Sequence, residues 1–171
     1  MPTTFSAASS KDEIFQEVKN RLEKADFQID NYDFTRPWGG FFVINEGQVA
    51  KFIAKYFPKL NITDLDSEKK LSPKILVVAP EKRLSWQYHD RRAEIWIVEA
   101  GTVGVKTSDT DDEGKLQVLN PGEIIKLKQG ERHRLIGLDG WGVVAEIWQH
   151  TDAENPSDED DIYRLQDDFG R

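Results

Sequence analysis

The chain of 171 residues contains no cysteine, which excludes disulfide bridges, thiolate metal ligands and a cysteine nucleophile. It also lacks any apolar run close to the roughly 20 residues that a membrane-spanning helix needs. Met1 is not followed by the basic and then apolar segments of a secretory signal. We therefore expect a cytoplasmic protein without membrane contacts.

Positive charge is also in deficit, since the formal net charge is −8. Residues 151–171 hold eight acidic side chains against two arginines and so carry −6 of this charge. The excess of negative charge argues against nucleic acid as a partner. The remaining, nearly neutral part of the chain can accept an anionic substrate.

The length fits one domain with a sizeable core. We divide it into residues 1–32, a tail followed by an amphipathic helix that opens on a capping box at Ser10, and residues 33–171, the main domain. Within the main domain, residues 48–57 have helical apolar spacing, and residues 59–72 form a polar loop.

From residue 73 onward the pattern favours strands. Short apolar segments are separated by Gly, Pro and Asp turns, which indicates an antiparallel barrel or sandwich. The expected strands cover residues 41–44, 74–79, 84–89, 94–99, 102–107, 115–119, 124–127, 133–138 and 141–149.

Histidine is scarce, and two of the three histidines lie where strands would bring polar side chains together. Residues i and i+2 of a strand share a face, so Gln87 and His89 point the same way. Glu94 begins the next strand, and His133 opens a third one. Two imidazoles, a carboxylate and an amide oxygen suit zinc, manganese, iron or cobalt. The alternative is a pair of ordinary half-buried histidines near a strand-end carboxylate.

Four motifs follow one another along the chain. They are Arg-Pro-Trp-Gly at 36–39, the histidine-containing block at 84–96, Gly-x-x-His-Arg-Leu at 130–135, and Glu-Asp-Asp-Ile-x-Arg at 159–164 with Phe-Gly-Arg at 169–171. In this order they resemble the cupin family, and within it the type II mannose-6-phosphate isomerases, including the C-terminal domain of bifunctional mannose-1-phosphate guanylyltransferases. The resemblance covers about residues 33–45 and 73–171 and leaves the N-terminal helix and an insertion at about 46–72 outside.

The chain departs from this family at three places. The family's triple histidine becomes His-Asp-Arg at 89–91, and the histidine after the glutamate becomes Ile95. The proline that usually precedes the glycine of the second histidine motif is replaced, giving Lys-Gln-Gly at 128–130. The ligand positions themselves are retained. Asp90, Arg91 and Ile95 are expected to line or border the pocket, so the departures concern substrate fit and turnover.

The resemblance implies a mainly β fold, a cupin-type double-stranded β-helix or jelly-roll barrel, with a short N-terminal helix and a helical insertion. It implies one divalent metal, held by Gln87, His89, Glu94 and His133. Zinc is favoured, with manganese, iron, cobalt and nickel as alternatives. The partner is a small sugar phosphate, and a homodimer is compatible with the family.

The implied activity is a metal-dependent aldose–ketose isomerase that interconverts mannose 6-phosphate and fructose 6-phosphate. Arg92 takes the position of the family's important arginine and is assigned to catalysis and substrate binding. Lys126 is the second catalytic candidate, and Arg134 and Trp38 are candidates for substrate binding. The general base stays open between Glu99, Lys126 and a metal-bound hydroxide.

Two other functions are compatible with the sequence. One is a cupin that binds a sugar or sugar phosphate without turnover, and the other is an isomerase of another phosphosugar or a metal-dependent oxygenase. Arg164 and Arg171 are interpreted as a clasp that holds the acidic tail on the barrel.

Overall fold

Two antiparallel sheets dominate the computed structural model, which describes residues 5–61, 65 and 70–171. The six-stranded sheet has the order β1-β2-β3-β10-β5-β8, and the five-stranded sheet has the order β11-β4-β9-β6-β7. The described strands are β1 (Ile29–Asp33), β2 (Gly39–Ile44), β3 (Lys74–Val78), β4 (Trp86–Tyr88), β5 (Arg92–Ala100), β6 (Val103–Ser108), β7 (Gln117–Leu119), β8 (Ile124–Leu127), β9 (Arg132–Gly137), β10 (Gly142–His150) and β11 (Tyr163–Gln166).

Two α-helices pack on one side of the six-stranded sheet. Helix α1 (Lys11–Lys24) begins at the capping box, where the Ser10 hydroxyl accepts a hydrogen bond from the Glu13 backbone N–H at 3.2 Å. Helix α2 (Val49–Tyr56) follows a short 3-10 helix, Glu46–Gln48. The buried residues of the helices recur at helical spacing, as the sequence predicts: Ile14, Val18 and Leu22 in α1, and Phe52, Ile53 and Tyr56 in α2.

The central strands of the six-stranded sheet are covered on both faces. In β10, Val143, Ala145 and Ile147 belong to the core beneath the helices, whereas Val144 belongs to the core between the two sheets. Burial on both faces explains why β3 and β10 read as continuous apolar runs rather than as alternating ones. Each fully buried large apolar side chain contributes about 1.5–3 kcal/mol to this arrangement.

The inner face of the six-stranded sheet changes character along the strands. At one end it carries apolar residues such as Leu76, Val98 and Val144, which pack against the five-stranded sheet. At the other end the same strands present polar and aromatic side chains: Lys74, Arg92, Glu94, Trp96, Glu146 and Trp148, all of which are buried. The polar end is therefore where a site can form between the sheets.

Both edge strands at the ends of the chain lie outside the sequence-based strand assignment. β1 pairs with β2 from Ile29↔Ile44 to Asp33↔Phe41, so it crosses the boundary expected at residue 33. β11 pairs with β4 through Tyr163↔Tyr88 and Arg164↔Gln87. Residues 1–4 of the expected tail, and residues 62–64 and 66–69 of the expected insertion, lie outside the described residues. Within the described part of the chain, no helix is long and apolar enough to cross a membrane.

Candidate metal centre and its cavity

Three side chains from different strands or strand ends meet at the polar end of the barrel. Glu94 comes from β5, His133 from β9, and His89 follows β4 directly. The Glu94 carboxylate lies 3.0 Å from His89 Nε2 and 3.8 Å from His133 Nε2. The donor atoms of the three residues all lie within 4.8 Å of one another, close to the span across one ion with bonds of about 2.0–2.2 Å. All three are at most 3% exposed.

Each of the two histidines is held by a hydrogen bond at Nδ1, so its Nε2 faces the centre. His89 Nδ1 lies 2.7 Å from the Asp161 carbonyl oxygen, and His133 Nδ1 lies 3.0 Å from that of Glu131. A carbonyl only accepts, so each Nδ1 carries a proton, and Nε2 is the ring nitrogen that each histidine directs at the centre. Burial lowers the pKa of His133 to about 4 even though Glu94 opposes this shift, so the ring is neutral.

Gln87 completes the predicted set from the strand next to His133. The two residues are register partners, Gln87↔His133, which places their side chains on the same face. The Gln87 amide lies 3.4 Å from His89 Nε2, and its Oε1 accepts a hydrogen bond from the Ser85 hydroxyl at 2.6 Å. A half-turn of the amide would direct its oxygen at the centre and its N–H at the Ser85 oxygen.

Arg92 lies against two of these donor atoms. Its guanidinium donates to Glu94 Oε1 at 2.9 Å and reaches His89 Nε2 at 3.3 Å, and it covers the Trp148 ring at 3.7 Å. Further donations go to the Ser157 hydroxyl at 3.0 Å and to the Asp158 carbonyl, both in the C-terminal tail of residues 151–171. Burial opposes ionisation of Glu94, but the neighbouring His89 and Arg92 outweigh it and hold the pKa of Glu94 well below its usual range.

A second buried carboxylate, Glu146 of β10, lies beside Glu94, and sequence reasoning did not find it. Trp148 Nε1 donates to Glu146 Oε1 at 2.7 Å. Trp96 Nε1 lies 2.7 Å from Glu146 Oε2 and 2.9 Å from Glu94 Oε2, so one indole bridges both carboxylates. Burial, and then the charge of Glu94, raises the pKa of Glu146 to about 8. The available signal was a single acidic residue within the apolar run of residues 143–148.

The site opens into a cavity of about 460 Å³ between the sheets and the C-terminal tail. Its walls combine aromatic, acidic and basic side chains. The lining includes the ligand candidates Gln87 and Glu94, the aromatic residues Trp38, Phe41, Trp96 and Trp148, the acidic residues Glu146, Glu159 and Asp160, and the basic residues Arg36, Lys74, Arg92, Arg164 and Arg171.

Trp38, a candidate for substrate binding, is buried and forms part of this wall. The chain turns through residues 36–38 and enters β2 at Gly39, whose φ is +145°. A Cβ at this position would lie 2.0 Å from the Val77 carbonyl oxygen, so only glycine allows β2 to approach β3 so closely. The Trp38 carbonyl then accepts a hydrogen bond from the Ala79 N–H at 2.8 Å, which fixes the turn beside the cavity.

Three other candidates do not reach this cavity, because neighbouring residues of a strand face opposite sides. Lys126 is exposed and pairs with Ile95, so it shares the outer face of the sheet with Ile95 and not the inner face with Glu94. Glu99 of β5 lies on that outer face as well, beside the helices. Lys126, the second catalytic candidate, therefore does not face the cavity, and Glu99 is excluded as a base of this cavity for the same reason.

Arg134, a candidate for substrate binding, also lies outside this cavity. It follows His133 in β9 and points to the other side of the five-stranded sheet. There its guanidinium is buried and donates to the Leu84 carbonyl at 2.7 Å and to the Glu113 carboxylate at 2.5 Å. Arg134 thus ties loops to the outside of the sheet and does not line the cavity.

The positions that depart from the family pattern also lie outside the cavity lining. Ile95 is buried in the core beneath the helices. The backbone N–H groups of Asp90 and Arg91 both donate to the Asp161 carboxylate at 3.0 Å. The Arg91 side chain binds the tail at Asn155. Asp90, Arg91 and Ile95 therefore lie outside the cavity lining, and the Arg91 side chain helps to attach the tail.

The donor set fits a divalent metal ion. His133 Nε2 is buried and has no hydrogen-bond partner among the residues that the structure describes, which is a costly state for a polar atom unless a ligand binds it. Two neutral imidazoles and an ionised carboxylate are the forms in which these groups bind metals. Binding requires that the Arg92 guanidinium and the Gln87 amide N–H give up their contacts with His89 Nε2.

Comparisons with known proteins agree with this picture. The family model described as "Mannose-6-phosphate isomerase C-terminal" matches residues 48–167, a range that includes most of the segment 46–72. Mannose-1-phosphate guanylyltransferase ManC of Salmonella typhimurium is 28% identical over 161 residues, which are 91% of this chain and 28% of that protein. The mannose-1-phosphate guanylyltransferase of Escherichia coli K12 is 29% identical over 116 residues, which are 68% of this chain and 23% of that protein.

The chain thus spans little more than a quarter of the length of the Salmonella relative. Among solved structures, the capsular polysaccharide assembling protein CapF from Staphylococcus aureus matches with a TM-score of 0.51 and 13% identity, over 82% of this chain and 34% of that chain. The predicted cupin fold is confirmed by this likeness and by the two antiparallel sheets.

Proposed function

This chain belongs to the mannose-6-phosphate isomerase C-terminal family, and on that premise we propose that it is a metal-dependent aldose–ketose isomerase that interconverts mannose 6-phosphate and fructose 6-phosphate. One observation carries the proposal. A His–Glu–His donor set adjoins a cavity that also holds a buried, non-ligating carboxylate and five basic side chains. Such a cavity can bind a polyhydroxylated anion and move one of its protons.

Gln87, His89, Glu94 and His133 would hold the ion, which we expect to be zinc, with manganese, iron, cobalt and nickel as alternatives because mixed nitrogen and oxygen donors suit all of them. When bound, the ion would act as a Lewis acid on the sugar's carbonyl and hydroxyl oxygens.

Glu146 is the residue that we assign to proton transfer. Isomerisation moves a proton between C1 and C2 of the sugar, so the carrier must lie beside the groups that bind the oxygens of these carbons. Glu94 is a ligand, Glu159 is 66% exposed at its side chain, and Asp160 is exposed. Glu146 alone among the cavity's described carboxylates is buried and not assigned as a ligand, and its Oε2 is one indole N–H away from Glu94.

The remaining groups would orient the sugar and exclude water. Arg92, fixed by Glu94, Ser157 and the Trp148 ring, can donate to a sugar hydroxyl from a defined position. Trp38, Trp96 and Trp148 supply flat walls against which the apolar face of a sugar packs. Lys126 and Arg134 have no role in this assignment.

The test is to incubate the metal-loaded full chain with mannose 6-phosphate in D₂O and to follow the products by proton NMR. We expect fructose 6-phosphate and deuterium at C2 of the recovered substrate. Glu94→Gln should lose both signals, whereas Lys128→Gln, which changes an exposed cation outside the cavity lining, should keep them.

A fully metal-loaded wild type that gives neither fructose 6-phosphate nor deuterium at C2 would contradict the proposal. Thermal stabilisation by mannose 6-phosphate without turnover would then point to a binding cupin. Turnover of another phosphosugar, or oxygen uptake, in a substrate panel would point to the remaining alternatives. The sequence departures that motivated a binding-only function lie away from the cavity, so they do not favour it.

A further inference from the structure

Besides Arg92, three guanidinium groups line the cavity. Arg36 lies in the turn before β2, Arg164 lies in β11, and Arg171 follows β11. Arg36 is paired with Asp33 at 3.1 Å, and Arg171 with Asp167 at 2.8 Å.

The Arg164 guanidinium has no such partner. Among the residues that the structure describes, none forms a hydrogen bond or an ion pair with this guanidinium. Partial burial, and then the positive charge of Arg171, lowers the pKa of Arg164, and the charge of Arg36 adds to this effect although Asp167 opposes it. The exposed Arg164 guanidinium thus faces two like charges, with no carboxylate of the described residues in contact with it.

The register of the sheet fixes where Arg164 points. Arg164 is the direct partner of Gln87 across β11 and β4, so both side chains lie on the face that lines the cavity. The neighbouring pair Tyr163↔Tyr88 faces the other way, with its rings stacked at 4.8 Å. Arg164 therefore lies on the same face as the candidate metal ligand Gln87, at an exposed position of the cavity wall.

A fourth cation lies at the border of this group. The Lys74 ammonium lies 4.8 Å from the centres of both the Phe41 and the Trp148 rings, and the Arg36 guanidinium lies 5.7 Å from that of Phe41. The carboxylate partner of Lys74 is Glu159, at 2.5 Å. The Glu159 side chain is 66% exposed and can be displaced into water.

We propose that the guanidinium groups of Arg36, Arg164 and Arg171, with the Lys74 ammonium at their edge, form the binding site for the phosphoryl group of a phosphomonoester ligand. Planar guanidinium groups bind phosphate oxygens in pairs, and a dianion compensates their mutual repulsion. This inference rests on the proposed function, because it assigns the end of the substrate that does not react. It replaces the clasp interpretation of Arg164, since a clasp needs a partner on the barrel.

The experiment compares the wild type with Arg164→Gln, Arg164→Lys and the control Lys128→Gln, all as metal-loaded full chains. Steady-state kinetics with mannose 6-phosphate gives KM and kcat, and calorimetry gives the affinities for mannose 6-phosphate and inorganic phosphate. For Arg164→Gln we expect KM and Kd to rise about 10- to 100-fold. The value of kcat should change much less, and metal content should stay the same. Arg164→Lys should recover part of the affinity, and Lys128→Gln should match the wild type.

The outcomes separate the two proposals. Unchanged KM and Kd in Arg164→Gln, in an enzyme that turns over, would overturn the phosphoryl site and leave the isomerase standing. A wild type without turnover whose affinity for inorganic phosphate is lost in Arg164→Gln, but kept in Lys128→Gln, would support the site and overturn the isomerase. If Arg164→Gln fails to fold, Arg36→Gln on a separate element provides the same test.

Discussion

Glu146 differs from the other carboxylates around the cavity because both of its oxygens accept hydrogen bonds from indole N–H groups. These bonds fix the orientation of the carboxylate without pairing it to a cation. Lys74 is its register partner in β3, but the Lys74 ammonium binds Glu159. A carboxylate held in this way can exchange a proton with a ligand without breaking an ion pair.

We expect Glu146→Gln to lower kcat for the isomerisation by about 10²- to 10⁴-fold, the usual contribution of a positioned acid or base. The KM and the metal content should change little, because the amide keeps the shape of the side chain and the ligand set is intact. Steady-state assays with mannose 6-phosphate measure kcat and KM, and elemental analysis measures the metal content. Glu154→Gln, an exposed acidic position of the tail, is the control. A kcat within threefold of the wild type would exclude Glu146 as the proton carrier.

Single residues also show how far the sequence could predict this site. Gln87, His89, Glu94 and His133 were predicted to meet because strand periodicity and the family motifs agree, and the structure brings them together. Lys126 and Arg134 were misplaced because a cation on a strand that lines the site can still point to the other face of that strand. Glu146 escaped notice because the only signal was its position in an apolar run, which is also typical of a paired core residue.

At the scale of elements, the segment that follows β10 closes the site by a small number of polar contacts. The Asp161 carboxylate accepts hydrogen bonds from the N–H groups of Asp90 and Arg91 and from the Ser157 hydroxyl at 2.6 Å. Its carbonyl accepts from His89 Nδ1. Although burial opposes ionisation, these bonds lower the pKa of Asp161, so it holds the segment as a carboxylate.

Asp161→Ala should lower the free energy of unfolding by about 2–4 kcal/mol, because it leaves buried donors without acceptors. Urea denaturation followed by tryptophan fluorescence measures this change. Asp160→Ala, at the exposed neighbouring position, should stay within about 0.5 kcal/mol of the wild type. Equal stabilities of the two variants would show that Asp161 does not hold the tail.

Most elements that the sequence predicted have a buried side, and β7 (Gln117–Leu119), which has no buried residue, is an exception. Strands such as β8 (Ile124–Leu127) and β10 (Gly142–His150) alternate or concentrate apolar residues, and their predicted limits agree with the structure to within one residue. β1 and β11 lie at sheet edges, and all four residues of β11 are exposed. Their sequences therefore carry no apolar pattern, and only pairing with a neighbouring strand makes them strands.

For the molecule as a whole, a bound metal ion links the two sheets, since Glu94 belongs to one and His133 to the other. An ion at 100 times its Kd stabilises the folded state by about 2.7 kcal/mol. For a chain of this length, that corresponds to a rise in Tm of roughly 5–10 °C. We expect a chelator to lower the Tm of metal-loaded wild type by this amount and added zinc to restore it, as measured by calorimetry.

The matched variant for this experiment is His133→Gln. It should have the same Tm with and without chelator, because it lacks one imidazole of the set. A wild type whose Tm does not respond to chelator, or a variant that responds as strongly as the wild type, would contradict the assigned ligands.

The position of β10 between β3 and β5 has a consequence for how the chain folds. Every contact that joins these three strands is between segments far apart in sequence, so the entropy of closing long loops is lost before the contacts compensate it. Topologies of this kind fold in about milliseconds to seconds. Lys74, Glu94 and Glu146 lie on these three strands, so their geometry exists only after β10 has inserted. The carboxylate that we assign to proton transfer, Glu146, therefore comes to lie beside Glu94 only when the barrel is complete.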